Sequence, residues 1–424
     1  MSWVLWVVPI VLLVLGVPIY VCLLAGAVAA LLFVTNVPTS VIPQVMFGSI
    51  DSFTLLAIPF FLFAGELMGR GAIADRLVRW CMAIFGGLRG SLGLVTISSC
   101  VVFGAISGSS AATVASIGRM MYPQLRENGY GERFSLGLIT ATGAIDILIP
   151  PSIMMILYAV SGEQSVPKLF IAGIIPGLLL AAMEGVFVVW YAKRYGVPVT
   201  GGVSLKRFVG ATADATWAFL IPVIIFGGIY SGVFTPTEAA GAAAVCGILI
   251  GRYVYRDVTW RDIWRISISS GLLTAQIMII VSSSALYAWF LTILGVPQHV
   301  TDFIHGLDLP QWGVLVAVNI FLIIVGGLID PTSAILVLTP LLMPIVNAVG
   351  VDPIHFGIIL TTNLAMGMFT PPFAINMFVT QSLFGVPVSK IVPGLVPFIV
   401  IHTLALIPIT YVPELSLFLV RLIY

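Results

Sequence analysis

Residues 137–158 read GLITATGAIDILIPPSIMMILY, and residues 357–378 read GIILTTNLAMGMFTPPFAINMF. Both segments open with small residues and threonines, pass a double proline and continue with apolar residues. The double prolines Pro150-Pro151 and Pro371-Pro372 are 221 positions apart. Two further matches share this displacement: Thr140 with Thr361, and Tyr122-Pro123 with Met343-Pro344. Because proline removes a backbone donor and interrupts a helix, we predict two copies of one unit, each containing a broken helix.

The composition predicts a protein that crosses a membrane many times. Of the 424 residues, 60% are hydrophobic and only 8% are charged. Soluble globular domains carry about 25% charged residues, so this chain has too few to cover a water-facing surface. A cytosolic enzyme, a nucleic-acid binder and a disordered scaffold are therefore excluded. The four cysteines lie in apolar or amphipathic stretches without metal-binding spacing, and we expect them to be buried residues.

The basic residues predict the orientation of the chain. Most of the 18 lysines and arginines fall in four clusters: 70–89, 119–133, 193–207 and 252–265. Four other stretches contain neither residue: 35–51, 231–235, 291–312 and 349–355. Because cytoplasmic loops of membrane proteins are rich in Lys and Arg, we predict the clusters inside and the empty stretches outside. The resulting path has a cytoplasmic N-terminus and a first span over 3–33, which Pro9 and Pro18 allow to kink.

Two apolar stretches return on this path to the side from which they start. Residues 91–118 have basic clusters on both sides, whereas residues 311–348 lie between two stretches without Lys or Arg. Each is therefore predicted to be a re-entrant helical hairpin. Residues 72–86 are amphipathic and are predicted to lie at the cytoplasmic interface. The two copies face opposite ways, and inverted repeats with hairpins and broken helices are typical of secondary transporters. The predicted fold is an all-α, polytopic, inverted-repeat transporter.

The tips of both hairpins carry oxygen-bearing side chains. Residues 104–113 read GAISGSSAAT, and residues 326–333 read GGLIDPTS. Neutral hydroxyl and carbonyl oxygens suit a hard cation such as Na⁺, and helix N-termini favour an anion nearby. At the first tip the alternative is small residues that only allow close helix packing. At the second tip the alternative is Asp330 acting as a helix cap.

The double prolines supply the other half of each predicted site. Pro151 and Pro372 free backbone carbonyls about one turn earlier, around Ile147 and Met368. Free carbonyls at membrane depth are tolerated only where they line a cavity or bind something. Each hairpin tip and its neighbouring break are therefore predicted to enclose one cation. Further oxygens or backbone access come from Thr140, Thr142, Gly143, Asn363, Gly367 and Thr370.

The motifs resemble those of a known family over nearly the whole chain. The segments AGELM, SGSSAATVASIG, AGIIPG, SGVFTPTEAA and DPTSAILVLTP, together with the two broken-helix segments, resemble the large membrane subunit of TRAP transporters, the DctM type. The resemblance implies an elevator-type transporter of the bacterial inner membrane that imports an organic acid, of the dicarboxylate or sialic acid type. It implies Na⁺ as the coupling ion, with no other cofactor and no catalytic residue. It also implies two partners: a separate small membrane subunit (DctQ type) and a periplasmic substrate-binding protein (DctP type).

The resemblance also assigns candidate residues by their position in these motifs. The first Na⁺ set is Ser107, Ser109 and Ser110 with Gly143. The second Na⁺ set is Asp330, Thr332 and Ser333 with Gly367 and Thr370. The candidates for contact with the solute are Ser107, Ser109, Asp146, Thr332 and Asn363.

Asp146 departs from the pattern of the family, which usually has a glycine at this place before the double proline. Burying an unpaired carboxylate in a membrane costs at least ~2.5–3.5 kcal/mol. Three roles are open for Asp146. It is a protonated and inert residue, a charged ligand of the first cation site, or a contact to a cationic group on the solute.

The expected domain organisation has two moving repeats and a fixed scaffold. The repeats are 91–160 and 296–390, the scaffold is 1–90 and 161–295, and a last span covers 391–424. Three other classes of protein share some of these features. A stand-alone ion-coupled carboxylate transporter has the same hairpins but no partners, and a channel needs no paired repeats. An intramembrane aspartyl protease would use Asp146 and Asp330, but neither lies in a GxGD pattern.

Overall fold

The computed structural model describes residues 3–70, 72–202, 204–306 and 309–424. Within these residues the chain is helical and has no β-strand. Seven of the described helices are long and apolar enough to cross a membrane, so the all-α, multi-span prediction is confirmed. The four cysteines are free thiols, and three are buried while Cys246 is half-buried.

The helices of the first half follow the predicted segments. The amphipathic segment forms a helix of its own, and the first broken helix is split into two. The bounds are α1 Val4–Val14, α2 Ile19–Phe33, α3 Val41–Ile50, α4 Ala57–Arg70, α5 Ala72–Phe85, α6 Ser91–Ser107, α7 Ser110–Glu127, α8 Glu132–Thr142, α9 Ile153–Ser161 and α10 Val166–Arg194.

The helices of the second half include three long apolar helices and a second amphipathic one. The bounds are α11 Leu205–Tyr230, α12 Pro236–Leu249, α13 Trp260–Ile293, α14 Val296–Gly306, α15 Gln311–Leu328, α16 Pro331–Ala348, α17 Pro353–Gly367, α18 Ile375–Phe384, α19 Val388–Tyr411 and α20 Glu414–Ile423.

The N-terminal region differs from the single span expected over 3–33. The chain turns at Gly16, whose φ is +78°, and α1 packs along α2. Pro9 lies against Gly26, where an added Cβ would come within 2.6 Å of the proline ring. Residues 4–33 therefore form a helical hairpin, and the prediction of one kinked span was wrong. Both ends of a hairpin lie on the same side of the membrane. The cytoplasmic N-terminus was predicted from a single span over 3–33, and it therefore no longer follows.

Both broken helices occur where the double prolines predict them. The first break separates α8, which ends at Thr142, from α9, which begins at Ile153, and a 3₁₀ turn covers Gly143–Ile147. The second break separates α17, which ends at Gly367, from α18, which begins at Ile375. The predicted helix breaks are confirmed.

Corresponding helices of the two repeats begin at positions that differ by the same displacement as the double prolines. α7 and α16 each have 18 residues and begin 221 positions apart, at Ser110 and Pro331. α8 and α17 begin at Glu132 and Pro353, with the same displacement. α10 follows the first broken helix as α19 follows the second. Each copy therefore includes one long helix after its break, which the sequence analysis did not assign to the repeat.

The helices pack in two groups, which contact each other through α4 and α5 on α6 and through α13 on α16. In the first group α4 packs on α12 and α13, α11 on α5 and α12, and α13 on α2 and α3. In the second group α8 packs on α19, α7 on α18 and α15 on α17. The long helix α10, expected in the scaffold segment 161–295, instead packs on α6, α17, α19 and α20. Its neighbours are therefore the repeats.

Glycines on α4 allow the two groups to approach closely. A Cβ added to Gly65 would lie 2.8 Å from the carbonyl oxygen of Ser107, at the end of α6. A Cβ added to Gly69 would lie 2.5 Å from Oγ of Ser116 on α7. The backbone of α4 therefore lies against the backbone of α6 at Gly65 and against the side chain of Ser116 on α7 at Gly69.

Candidate functional site

The first hairpin tip, residues 107–110, packs directly on the first break. α6 ends at Ser107, the chain turns at Gly108 with φ +62°, and α7 begins at Ser110. Glycine is required at this turn because a Cβ on Gly108 would lie 2.6 Å from the carbonyl oxygen of Pro151. The tip and the first double proline, which the sequence analysis placed together, are therefore in contact.

Ser110 joins the first tip to the first break. Its hydroxyl donates to the carbonyl of Gly143 over 2.8 Å and accepts from Nδ2 of Asn376 over 2.8 Å. The same Nδ2 donates to the carbonyl of Thr140 over 3.1 Å. Asn376 lies on α18, in the other repeat, and is fully buried. The sequence analysis missed Asn376, although a lone amide in the apolar run after the second double proline was a signal.

Asp146 lies beside this tip and is 0% exposed. Thr113 donates a hydrogen bond to its Oδ2, whereas Oδ1 has no partner within the described part of the chain. Gly104 makes room for the carboxylate, since a Cβ there would lie 2.9 Å from Oδ1. An unpaired carboxylate oxygen in an apolar interior is costly, and this oxygen is free to accept a proton or to bind a cation.

Ser107 and Ser109 contribute less to this cluster than predicted. Oγ of Ser107 accepts from the backbone N–H of Ser109 over 3.3 Å, so the two residues bond to each other within the turn. Ser107 is buried, and Ser109 is half-buried. The structure therefore brings Ser110, Gly143 and Asp146 to one place, while the other two serines shape the tip.

The second hairpin tip, residues 326–333, meets the second break through backbone atoms. A Cβ on Gly367 would lie only 2.2 Å from the carbonyl oxygen of Gly326. The N–H of Phe373 donates to the carbonyl of Gly327 over 3.3 Å. These contacts leave no room for side chains between the tip and the break. The second tip and the second break are therefore adjacent, as the sequence analysis expected.

Asp330 caps the helix that follows the second tip. Its Oδ2 accepts from the backbone N–H of Ser333 over 2.9 Å, and its Oδ1 accepts from the hydroxyl of the same residue over 2.6 Å. This is the structural alternative that was left open for Asp330. Thr332, the residue between them, is half-buried.

The remaining candidates lie on α17 and just after it. Thr370 donates to the carbonyl of Met366 over 2.7 Å. Asn363 donates from Nδ2 to Oδ1 of Asn319 over 2.7 Å and is fully buried. Its Oδ1 has no hydrogen-bond partner among the residues described. Asn363 therefore holds one free acceptor about one turn before Gly367.

The fold indicates a class of protein. A helical protein with two broken-helix repeats is typical of membrane transporters, and two solved transporters have a similar fold. The YdaH transporter of Alcanivorax borkumensis has a TM-score of 0.64 and 12% identity, covering 94% of this chain and 96% of that one. MtrF of Neisseria gonorrhoeae has a TM-score of 0.51 and 12% identity, covering 95% and 94%. At such identities the likeness shows the fold alone.

The sequence comparisons show the family. Residues 6–415 match the family model described as tripartite ATP-independent periplasmic transporter, DctM component. The C4-dicarboxylate TRAP transporter large permease protein DctM of Pseudomonas aeruginosa is 40% identical, covering 93% of this chain and 92% of the relative. The ectoine/5-hydroxyectoine large permease protein UehC of Ruegeria pomeroyi is 38% identical, covering 97% and 96%. The chain belongs to the DctM family of TRAP transporter large membrane subunits.

One relative joins two subunits in one chain. The isethionate TRAP transporter permease protein DctMQ of Oleidesulfovibrio alaskensis is 39% identical over 96% of this chain, which covers 64% of that relative. Membership of this family identifies a transporter subunit, so the protease alternative and its pair Asp146 and Asp330 are abandoned.

Proposed function

We propose that this chain is the subunit that carries an organic acid anion across the bacterial inner membrane, driven by a Na⁺ gradient. The solute is a carboxylate, of the dicarboxylate or sialic acid type, and a periplasmic binding protein delivers it. A small membrane subunit completes the complex. The observation that carries the proposal is the repeated contact between an oxygen-bearing hairpin tip and a helix break, in a chain of the DctM family.

The chemistry of the two tip–break contacts supports Na⁺ as the coupling ion. At the first contact, the hydroxyl of Ser110 on α7 is bonded to the carbonyl of Gly143, and Thr113 on the same helix is bonded to the carboxylate of Asp146. At the second, carbonyls of Gly326 and Gly327 face the broken helix. Oxygen donors of this kind suit hard cations, and broken helices provide carbonyls for Na⁺ in other transporter folds.

The class of solute is proposed from the relatives. Three of them are named for C4-dicarboxylate, for ectoine and for 2,3-diketo-L-gulonate, which all carry a carboxylate. A carboxylate would be attracted to the N-terminal ends of α9 and α18, the half-helices that begin after the breaks, because the positive end of a helix dipole lies there. We propose that Ser109, Thr332 and Asn363 contact the solute: the first two are half-buried hydroxyl donors at the tips, and the free amide oxygen of the third can accept only from a hydroxyl of the solute, not from its carboxylate.

The packing supports an elevator mechanism with a larger moving unit than expected. We assign α6–α10 and α14–α20 to the transport unit, with 91–127 and 311–348 as its re-entrant hairpins. The arms α6 and α7 of the first pack on each other, whereas α15 and α16 of the second make few mutual contacts. The scaffold comprises α1–α5 and α11–α13. The revision concerns 166–194 and the C-terminal segment from 388, which pack on the repeats. The glycines of α4 leave the facing backbone bare, so a helix hairpin can slide along it.

Transport measurements test the proposal directly. Protein reconstituted with its small subunit should accumulate a labelled C4-dicarboxylate only when an inward Na⁺ gradient and the loaded binding protein are both present. Replacing Na⁺ with K⁺ should abolish accumulation. Accumulation of free solute without the binding protein would favour the stand-alone transporter instead, and equal uptake in K⁺ would contradict Na⁺ coupling.

Asp146 is proposed to be a charged ligand of the first cation site. Asp146→Asn keeps the size and the bond from Thr113 but removes the charge. We expect about tenfold weaker apparent affinity for Na⁺, the scale of one buried polar partner. Without Na⁺ the variant should also melt at a higher temperature, because an unpaired carboxylate in a membrane costs at least ~2.5–3.5 kcal/mol.

The matched control is Asp51→Asn, because Asp51 is exposed. It should change neither the Na⁺ titration nor the melting temperature. An Asp146→Asn variant that behaves like the control in both measurements would identify Asp146 as an inert residue. A changed preference among solutes with an unchanged Na⁺ titration would assign it to the solute instead.

A further inference from the structure

The long helix α10 carries one carboxylate in its buried middle. Glu184 is 0% exposed, and it is the only acidic residue between Val166 and Arg194. Ionisable side chains within membrane-spanning segments are costly and usually functional. The sequence analysis passed over Glu184, although an acid alone in an apolar span was visible there.

Two side chains from different helices hold this carboxylate. The hydroxyl of Thr142 donates to Oε2 over 2.6 Å, and Nε2 of His402 donates to Oε1 over 2.9 Å. Thr142 and His402 are both fully buried. The donor role of Nε2 follows from its partner, since a carboxylate only accepts. Glu184 therefore connects the end of α8 to the middle of α19.

Both ends of this connection lie beside the proposed cation sites. Thr142 directly precedes Gly143, whose carbonyl accepts the hydrogen bond from Ser110. The ring of His402 packs edge-to-face on Phe369, with centroids 4.8 Å apart and planes at 74°. Phe369 directly precedes Thr370 in the second break. A continuous series of contacts thus leads from one helix break to the other.

We propose that Glu184 and His402 are positioning residues that hold the two helix breaks in one fixed relation, so that Na⁺ at one site favours Na⁺ at the other. This inference rests on the proposed function. A shift of the second break would move Phe369 and displace His402. The carboxylate of Glu184 would then lose one partner, and the hydroxyl of Thr142 would no longer be held beside Gly143. Affinities at two sites are coupled when both depend on one such element.

Stability alone is a poor reason for this pair. A buried carboxylate held by hydrogen bonds gains little over apolar residues of the same size, because the cost of removing it from water offsets the attraction to its partners. A buried polar network instead favours one arrangement of the groups that it joins, and here both carboxylate oxygens of Glu184 have a partner, whereas Nδ1 of His402 has none among the described residues. Here the groups joined are the two helix breaks, and fixing their geometry is what the proposal requires.

The experiment is a Na⁺ titration of the complete transporter, followed by transport rate and by melting temperature. Thr142→Val removes the hydroxyl at nearly constant volume. It should raise the half-saturating Na⁺ concentration about tenfold and lower the Hill coefficient towards one. Thr142→Ser should behave like the wild type because it keeps the hydroxyl. Glu184→Leu removes both acceptors at a similar size, and it should raise the half-saturating Na⁺ concentration at least as much as Thr142→Val.

Thr403→Val is the matched control, because Thr403 is the exposed neighbour of His402 on α19. It should leave the titration unchanged. A double-mutant cycle that combines Thr142→Val with Phe369→Leu tests the coupling itself. The effects on half-saturating Na⁺ should be clearly less than multiplicative if both residues act through the same connection.

The outcomes separate this inference from the proposed function. A wild-type protein with no response to Na⁺ would overturn both. A wild-type response that Thr142→Val leaves unchanged would overturn only the role of Glu184 and His402. A lower melting temperature with an unchanged Hill coefficient, or a strictly multiplicative cycle, would identify a merely structural pair and overturn the coupling.

Discussion

Oxidation of a Gly69→Cys/Ser116→Cys variant is expected to stop transport completely, and reduction should restore it. A Cβ on Gly69 would lie 3.6 Å from Cβ of Ser116, within the range of about 3.5–4.5 Å found in disulfides. Gly69 lies on α4 in the proposed scaffold, and Ser116 lies on α7 in the proposed transport unit. A disulfide would therefore tie together two parts that must slide past each other.

A second cysteine pair provides the matched control. A Cβ on Gly93 would lie 3.5 Å from Cβ of Val188, so Gly93→Cys/Val188→Cys should also form a disulfide. This bond joins α6 to α10, which we assign to the same moving unit. Its oxidation should leave transport near the rate of the reduced protein. Both variants are made in a chain without the four native cysteines, and uptake is measured before and after addition of reductant.

The two pairs together discriminate between domain assignments. Transport that persists with a fully formed disulfide between α4 and α7 would contradict the elevator mechanism. Transport that stops when α6 is linked to α10 would return 166–194 to the scaffold, as the sequence analysis expected. The extent of disulfide formation is read from the mobility of a proteolytic fragment on a gel.

Gly367→Ala is expected to lower the rate of transport about 100-fold or more. The added Cβ would lie 2.2 Å from the carbonyl oxygen of Gly326 and 2.7 Å from its carbon. Both neighbours are backbone atoms, so the second tip must move away from the second break. Overpacking of this kind costs about 1–3 kcal/mol and occasionally more, and ~2.7 kcal/mol corresponds to a factor of 100.

The control for this prediction is Gly241→Ala on α12, where nothing lies within 4 Å of the added Cβ. It should transport like the wild type. Uptake is normalised to the amount of protein in the membrane, and the Na⁺ titration is repeated for each variant. A Gly367→Ala variant with the rate of the control would show that the second tip and break need not touch.

Local features of this protein were predictable from the sequence. The helix breaks follow from Pro150-Pro151 and Pro371-Pro372, because a missing N–H donor acts on the turn of backbone next to it. The turn at Gly108 and the cap at Asp330 are local in the same sense. The wrong prediction of one span over residues 3–33 had a local cause too. The apolar run is long enough for one span, and the turn at Gly16 was not recognised within it.

Only the tertiary structure decided which distant residues meet. Ser110 and Asn376 are 266 positions apart, and Glu184 and His402 are 218 apart. The helices on which α10 packs could not be predicted from the sequence either. In a soluble protein the apolar face of a helix marks the side that packs on the core. In a membrane both the lipid-facing and the buried surfaces are apolar. Hydrophobicity therefore determined that these helices lie in the membrane, whereas their neighbours were decided by packing and by the few buried polar side chains that found one another.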